Sequence, residues 1–247
     1  MISAPFEFSM GRTLVVAPAY NEAENIVALV REVMAVPGIA GMIVVDDNSP
    51  DGTGQLVREL QAELHGVHLL QPDRRLGRGG SAIAGLIRAL ELEADRIIEM
   101  DADFSHSPSS IPALLQASSC YPLVIGSRLV PGGDDRQRPL LRRLVTRLAC
   151  AAVRLLLGMP VRDPTSGFRC YHRDVLEKVK LSELLSTGPS ELIEILHRAL
   201  LAGFVAGEIP IEFIDRRKGR SKLHVFLLLD TLRMVVRFRW RYGKKGT

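Results

Sequence analysis

Asp101 and Asp103, two carboxylates one residue apart, are the residues of this chain whose type and spacing most directly imply chemistry. Ile97, Ile98 and Met100 ahead of them read as a buried strand, and Phe104-Ser105-His106-Ser107-Pro108 breaks the pattern behind them. In an open α/β sheet, ligands bind in the crevice beyond the carboxyl ends of the strands. Hard carboxylate oxygens placed there hold a divalent cation, and such a cation clamps a diphosphate. A strand end followed by a polar turn has the same letters, so the pair gains meaning only from its company.

Two other strand ends keep it company. Thr13-Leu14-Val15-Val16-Ala17 is a short apolar run that opens into Pro18-Ala19-Tyr20-Asn21-Glu22. A strand that opens onto a helix offers free backbone N–H groups to a ligand. Met42-Ile43-Val44-Val45 ends in Asp46-Asp47-Asn48-Ser49-Pro50-Asp51-Gly52-Thr53, and a carboxylate there takes hydrogen bonds from ribose hydroxyls or a base edge. Each has a plainer reading. Asn21 with Glu24 also fits a helix N-cap and capping box, and residues 46–53 are all turn formers or caps. Arg74-Arg75-Leu76-Gly77-Arg78-Gly79-Gly80 looks like a phosphate loop but lacks the Lys-[Ser/Thr] that a nucleoside triphosphate loop needs, which leaves a helix entry. Three ligand-type strand ends on one sheet edge are what a nucleotide site requires.

The elements that must position them alternate. Helical spacing covers 21–35, 53–64 and 79–92, and a further helix starts at Pro108; strands are expected at 67–70 and 123–126 besides those above. Strands of four to six residues separated by helices predict an α/β fold with a mostly parallel sheet covered on both faces. After Gly126 the pattern changes. A loop at 131–135 precedes a basic amphipathic helix over 139–157, with Arg143, Arg147 and Arg154 near one face and leucines on the others. A turn at 163–167, a helix over 190–202, a strand over 204–213 interrupted at Pro210, a basic loop at 216–221 and a helix over 223–241 follow. With no repeat and no low-complexity linker, residues 1–247 read as one domain in which 216–247 is a basic loop and C-terminal helix suited to contact with a membrane surface.

The strand-end segments resemble the successive signatures of inverting family 2 glycosyltransferases with the GT-A (Rossmann-like) fold. Ser49-Pro50-Asp51-Gly52-Thr53, Gly126-Ser127-Arg128, Asp163-Pro164-Thr165-Ser166-Gly167-Phe168-Arg169 and Arg216…Gly219-Arg220-Ser221-Lys222 together resemble dolichol- or polyprenol-phosphate mannose synthases. The resemblance runs from about Thr13 to Leu223. It implies that Pro18, Ala19, Tyr20, Glu22, Val45 and Asp47 hold the nucleoside of GDP-mannose. Asp101, Ala102 and Asp103 would face its diphosphate and Mg²⁺ or Mn²⁺. Arg216 and Lys222 would close over the donor phosphates. Arg128, Arg142 and Thr146 would grip the phosphate of a polyprenyl acceptor, with Asp103 and Arg128 central to catalysis. The family often has Gln two residues beyond the second Asp; here Ser105 stands at that metal-side position, and its shorter side chain leaves room for a water.

The implied reaction is chemically economical. A phosphomonoester has a second pKa of about 6, so it is largely dianionic at neutral pH and is a nucleophile without a general base. Cations must bring two anions into line, and guanidinium grips phosphate oxygens bidentately. Inverting in-line displacement at the anomeric carbon follows. A related enzyme using UDP-glucose or UDP-GlcNAc and, more distantly, a non-catalytic sugar-nucleotide-binding regulator are the alternatives.

Charge placement points to an anionic partner. Residues 216–247 hold 11 Lys/Arg against one acid, a net of +10, and the remainder holds 21 against 27, a net of −6. Residues 136–162 add seven Arg and no acid. Basic segments in an otherwise acidic chain fit nucleic acid, a phosphorylated substrate or a membrane surface. Aromatic residues are only 5% and no stacking motif appears, which argues against nucleic acid. Trp240 and Tyr242 fit an interfacial anchor. The expectation is a peripheral protein on the cytoplasmic face of a membrane, with an anionic lipid surface and a membrane-anchoring protein as partners. Three scattered cysteines, and first residues lacking a basic region followed by an apolar run, agree with a reduced compartment and no secretory signal.

Overall fold

The computed structural model describes residues 11–214 and 225–243. Seven strands form one sheet: β1 (Thr13–Ala19), β2 (Ile39–Asp46), β3 (Val67–Leu70), β4 (Arg96–Glu99), β5 (Leu123–Ser127), β6 (Arg169–His172) and β7 (Ala206–Pro210). Their order is β3-β2-β1-β4-β6-β5-β7. Only β6 runs antiparallel to its neighbours, β4 and β5. β2, β1 and β4 are adjacent and parallel, so the three strand ends picked out in the sequence share one edge. Because β6 is reversed, the 163–168 loop that precedes it reaches that same edge, as does Arg128 beyond β5.

Helices cover both faces, which explains why the inner strands are continuous apolar runs. Leu14, Val16, Ile43, Val45 and Ile97 bury one face with Leu86 of α3 (Gly77–Glu91) and Ile195 and Leu196 of α7 (Glu191–Leu201). Val15, Ala17, Met42, Val44 and Ile98 bury the other against Leu29 of α1 (Ile26–Met34), Val57 of α2 (Thr53–Glu63) and Leu114 of α4 (Ile111–Ser118). The alternation of 14/16 with 15/17 is the two-residue period of a strand. At Gly85 a Cβ would lie 2.4 Å from Val16 Cγ1 and 2.8 Å from Val45 Cγ2, so a glycine is needed for α3 to lie this close to the sheet.

Two sequence expectations are corrected. First, the helix expected from Asn21 begins at Ile26, and Asn21 sits at φ 60 in the left-handed region. Asn21 is therefore not its N-cap. The amides of Asn21, Glu22 and Ala23 donate instead to Ser49 Oγ, Thr53 Oγ1 and Asp51 Oδ2, each at 3.0 Å, so the second strand's turn caps the first strand's loop. Second, Arg169–His172 is a fully buried strand, followed by α6 (Arg173–Val179), where only a turn had been read ahead of it. The expected basic helix is present as α5 (Leu140–Leu157), and it buries Cys150, Val153 and Leu157 while Leu140, Leu141, Leu144, Leu148 and Leu155 stay 55–77% exposed. The last helix is α8 (Val225–Tyr242), with Val235 and Phe238 in the core and Trp240 87% exposed. Among the described residues, no helix is long and apolar enough to cross a membrane.

Candidate active site

Asp101 and Asp103 follow β4 in a tight loop. Phe104 at φ 61 turns the chain and puts its ring in the core. Asp103 is almost fully buried, and its Oδ1 accepts both Ser105 N–H at 3.0 Å and Ser105 Oγ–H at 2.6 Å. Asp101 remains one-third exposed. Its backbone N–H donates to His106 Nδ1 at 3.1 Å, which requires that nitrogen to be unprotonated. Burial lowers the His106 pKa despite the nearby Asp101 and Asp103, in keeping with a neutral ring. The ring stacks on Phe168 at 5.1 Å and meets Phe213 edge-on at 5.7 Å.

Behind Asp101 lies a cationic group that sequence reading missed. Arg78, in the first turn of α3, reaches Asp101 Oδ1 at 3.0 Å and Glu99 Oε1 at 2.9 Å and pairs with Glu191 Oε1. Glu99 and Glu191 are fully buried. One guanidinium thus faces three carboxylates. Burial disfavours its charge, but Asp101, Glu99 and Glu191 together raise the Arg78 pKa well above the ordinary value. For Glu191, burial outweighs Arg78 and pushes the carboxyl up to about 7. Glu191 Oε2 is buried without a hydrogen-bond partner among the described residues. A carboxylate, Glu99, directly after the apolar pair Ile97-Ile98 of β4 was the available signal.

At the end of β2, Asp47 is nearly buried and accepts the amides of Leu76 at 2.6 Å and Gly77 at 3.0 Å. These amides open α3, so the glycine-rich segment is a helix entry capped by Asp47 rather than a phosphate loop. Arg75 lies over the Tyr20 ring at 3.7 Å and 3.6 Å from Asp47 Oδ2, linking two strand ends. Asp46 is fully buried and holds Gln71 Nε2 at 3.0 Å. Pro18 and Ala19 end β1 beside Val45 and Asp46, with Glu22 just beyond. Val45 packs its side chain into the core against α3, and Ala102 is also buried, so both offer a ligand backbone groups.

The third group lies beyond β5. Asp163 takes Arg128 Nε at 2.7 Å and Nη2 at 2.8 Å, and both side chains are buried to within 9% exposure. Burial alone would lower the Arg128 pKa and raise that of Asp163; each reverses the other's shift. Glu208 of β7 fixes the loop by accepting the amides of Arg162 and Asp163 at 2.6 and 2.9 Å. Arg169 is fully buried and donates to the carbonyls of Ser166, Leu192 and Pro164. Arg128 and Arg138 both stack on Phe213, at 5.0 and 5.2 Å, and Arg138 Nη1 donates to Thr146 Oγ1 at 3.2 Å. The structure therefore joins Thr146 to Arg128 through Arg138 and Phe213, neither of which the sequence reading selected. Arg142 is half-buried one turn before Thr146. Arg216 and Lys222 lie outside the described residues.

Among the described residues, no group of three or more His, Cys, Asp or Glu is arranged to cage an ion. Asp101 and Asp103 can still supply two hard oxygens. That donor set fits Mg²⁺ or Mn²⁺, which bind through one or two carboxylates with substrate phosphates and water completing the shell.

A mostly parallel seven-stranded sheet with carboxylates at neighbouring strand ends is a GT-A-like architecture. Solved neighbours agree: glucosyl-3-phosphoglycerate synthase from Mycobacterium tuberculosis, in complex with Mn²⁺, UDP-glucose and glycerol 3-phosphate, has a TM-score of 0.65 at 22% identity, covering 96% of this chain and 82% of that one. Mannosyl-3-phosphoglycerate synthase from Rubrobacter xylanophilus has a TM-score of 0.63 at 17% identity, covering 94% and 73%. Residues 14–180 match the glycosyl transferase family 2 profile, and the chain belongs to that family. Two relatives span most of it. Polyprenol monophosphomannose synthase of Mycolicibacterium smegmatis is 41% identical over 214 residues, 86% of this chain and 81% of the relative. Undecaprenyl-phosphate mannosyltransferase of Micrococcus luteus is 39% identical over 213 residues, 86% and 87%.

Proposed function

We propose that this chain is a single-domain enzyme that transfers mannose from GDP-mannose to a polyprenyl monophosphate with inversion. The observation that carries the reading is the pair of relatives named for mannosyl transfer to a polyprenyl phosphate, 41% and 39% identical across 86% of the chain. The geometry supports it, because a pre-paired guanidinium, Arg128, stands on the same sheet edge as Asp101 and Asp103.

In this reading Asp101 and Asp103 hold Mg²⁺ or Mn²⁺, which when bound neutralises the leaving diphosphate. Ser105 orients Asp103, and its own place as a ligand is secondary. Asp47, Tyr20 and Glu22 flank the nucleoside, with backbone groups of Pro18, Ala19, Val45 and Ala102. Arg216 and Lys222 approach the donor phosphates. Arg128, Arg142 and Thr146, joined by Arg138, hold the acceptor dianion for in-line attack on the anomeric carbon. Exposed leucines on α5 and exposed Leu232, Val236 and Trp240 on α8 rest against the cytoplasmic face of an anionic membrane, where the lipid acceptor lies. A membrane-anchoring partner protein is compatible with that placement, and nucleic acid is not a partner.

The test offers GDP-mannose, UDP-glucose and UDP-GlcNAc separately with a polyprenyl phosphate, with Mn²⁺ or EDTA, and identifies the lipid product by mass. Mannosyl-phosphate lipid formed from GDP-mannose and abolished by EDTA is the expected result. Product from a UDP-sugar alone replaces the donor, and no product from any donor defeats the enzyme reading.

A further inference from the structure

A cavity of about 570 Å³ opens between α5 and the loop after β5. Four arginines line it, Arg128, Arg147, Arg154 and Arg162, with Leu129 and Val130 among the apolar wall, and no carboxylate does. The carboxylates behind it are already engaged. Asp163 is paired with Arg128, and Asp135 is held by Arg143 at 3.1 Å with Arg147 at 4.0 Å. No carboxylate among the described residues pairs with the side chain of Arg154 or Arg162, and both are exposed. Like charges gathered without counter-charge repel, and an anion relieves this.

The cavity also has an apolar border. Leu141, Leu144, Leu148 and Leu155 recur at spacings of three, four and seven on α5, and each is more than half exposed. They form a stripe along the face next to Arg147 and Arg154. A cationic cavity edged by exposed leucines matches an amphiphile, with phosphate inside and hydrocarbon along the stripe. Arg154 lies eight residues beyond Thr146, about 12 Å along the axis at ~1.5 Å per residue. Arg128 lines the cavity and also belongs to the proposed acceptor grip, so the two sites adjoin at Arg128, and the Arg154/Arg162 end is the part that lies away from Arg142 and Thr146.

We infer that this cavity binds the phosphodiester headgroup of an anionic membrane phospholipid, which seats α5 at the bilayer surface. The inference rests on the reading of α5 as a membrane-facing helix and adds to it a defined site.

The test uses the full chain, the R154Q/R162Q variant and the R237Q/R239Q variant, which removes the same charge from exposed positions on α8. Vesicles of phosphatidylcholine carry either phosphatidylglycerol or oleate, adjusted to the same surface potential. Partition is read by co-sedimentation and by emission of Trp240, the single tryptophan. Wild type is expected to bind phosphatidylglycerol vesicles about tenfold more tightly than oleate vesicles, one charged hydrogen-bonding contact's worth. R154Q/R162Q loses that preference and R237Q/R239Q keeps it, while both bind more weakly overall. Equal behaviour of the two variants, or no preference in wild type, overturns the cavity and leaves the membrane reading standing. Binding to no anionic vesicle overturns both. Equally tight binding of soluble glycerol 3-phosphate, or a raised KM of R154Q/R162Q for a short polyprenyl phosphate in neutral detergent, assigns the cavity to a soluble ligand or to the acceptor and overturns the lipid assignment.

Discussion

Arg78 Nη2 lies 3.0 Å from Asp101 Oδ1, so one of the two strand-end aspartates is tied to a cation belonging to the protein itself. The same guanidinium neutralises Glu99 and Glu191, both inaccessible to solvent. Arg78 therefore sets the orientation of Asp101 and offsets part of the negative charge at this strand end. Substituting R78L leaves two buried carboxylates without a counter-charge. Breaking a buried ion pair from one side costs about 3–5 kcal/mol, and the one-quarter exposure of Arg78 places the expected loss near the lower figure. Urea unfolding measures it. R78L/E191Q, which removes one orphaned charge, is expected to recover part of the loss; no recovery would show that Glu191 is not part of this charge balance.

The raised pKa of Glu191 makes stability depend on pH. Its folded value, about 7, lies above the ordinary 4.5 because burial disfavours the carboxylate. The folded state then binds more protons than the unfolded state between those values, so its contribution is full below about 4.5 and is lost as pH rises through 7. E191Q removes that term. Thermal unfolding from pH 5 to pH 8 is expected to show wild type losing Tm relative to E191Q as pH rises, with the gap opening toward pH 7.

How far the chain could be read depended on whether each feature was local. The strands β1, β2 and β5 were visible because they carry buried runs of Val, Ile and Leu, and β3 and β4 as shorter apolar runs, and Asp101, Asp103, Asp46 and Asp47 were visible as carboxylates where such runs stop. β6 was not, because Arg169-Cys170-Tyr171-His172 has polar ends whose burial depends on distant carbonyls and on antiparallel neighbours. The start of α1 was misplaced because its loop is capped by side chains 28 to 31 residues away. Arg78, Arg138 and Phe213 carry no local signature; only the fold brings Arg78 to Glu191, 113 residues along.

Asp163 is the residue that aims Arg128. Nε and Nη2 of Arg128 both donate to it, and Nη2 also to Thr165 Oγ1, which orients the guanidinium. D163N keeps the shape and removes the charge. It is expected to destabilise the fold by about 3 kcal/mol through the unpaired buried cation. Transfer should fall at least tenfold with the donor KM unchanged. A D163N protein with lowered Tm but undiminished turnover would separate Arg128 from acceptor handling.

The interlock of the first two strand ends is testable through Thr53. Thr53 Oγ1 accepts the Glu22 amide at 3.0 Å and donates to Asp51 Oδ1 at 2.6 Å. T53V retains the volume and removes both bonds. The expected cost is about 1–2 kcal/mol, the usual effect of deleting a capping hydroxyl. Because Glu22 and Tyr20 flank the nucleoside in the proposed site, the nucleotide Kd should rise as well, by calorimetry with GDP. T53S, which restores the hydroxyl, is expected to recover most of both losses, whereas a loss common to T53V and T53S would trace to packing.

Ser105 has two candidate roles in the proposed metal site, ligand or support for Asp103. Its hydroxyl donates to Asp103 Oδ1 at 2.6 Å and its amide to the same oxygen at 3.0 Å, with the side chain almost wholly buried. A hydroxyl so committed positions Asp103. S105A leaves the amide bond in place and removes only the hydroxyl bond, worth about 1 kcal/mol. The half-saturating Mn²⁺ concentration is therefore expected to rise about fivefold, with saturated turnover little changed. In the proposed site Asp103 binds the ion, so D103N, which replaces a carboxylate oxygen by an amide nitrogen, should not be rescued by any Mn²⁺ concentration. If S105A instead abolishes Mn²⁺ dependence as completely as D103N, Ser105 is itself a ligand. An unchanged Mn²⁺ requirement in S105A would mean that the amide alone is enough to hold Asp103 in place.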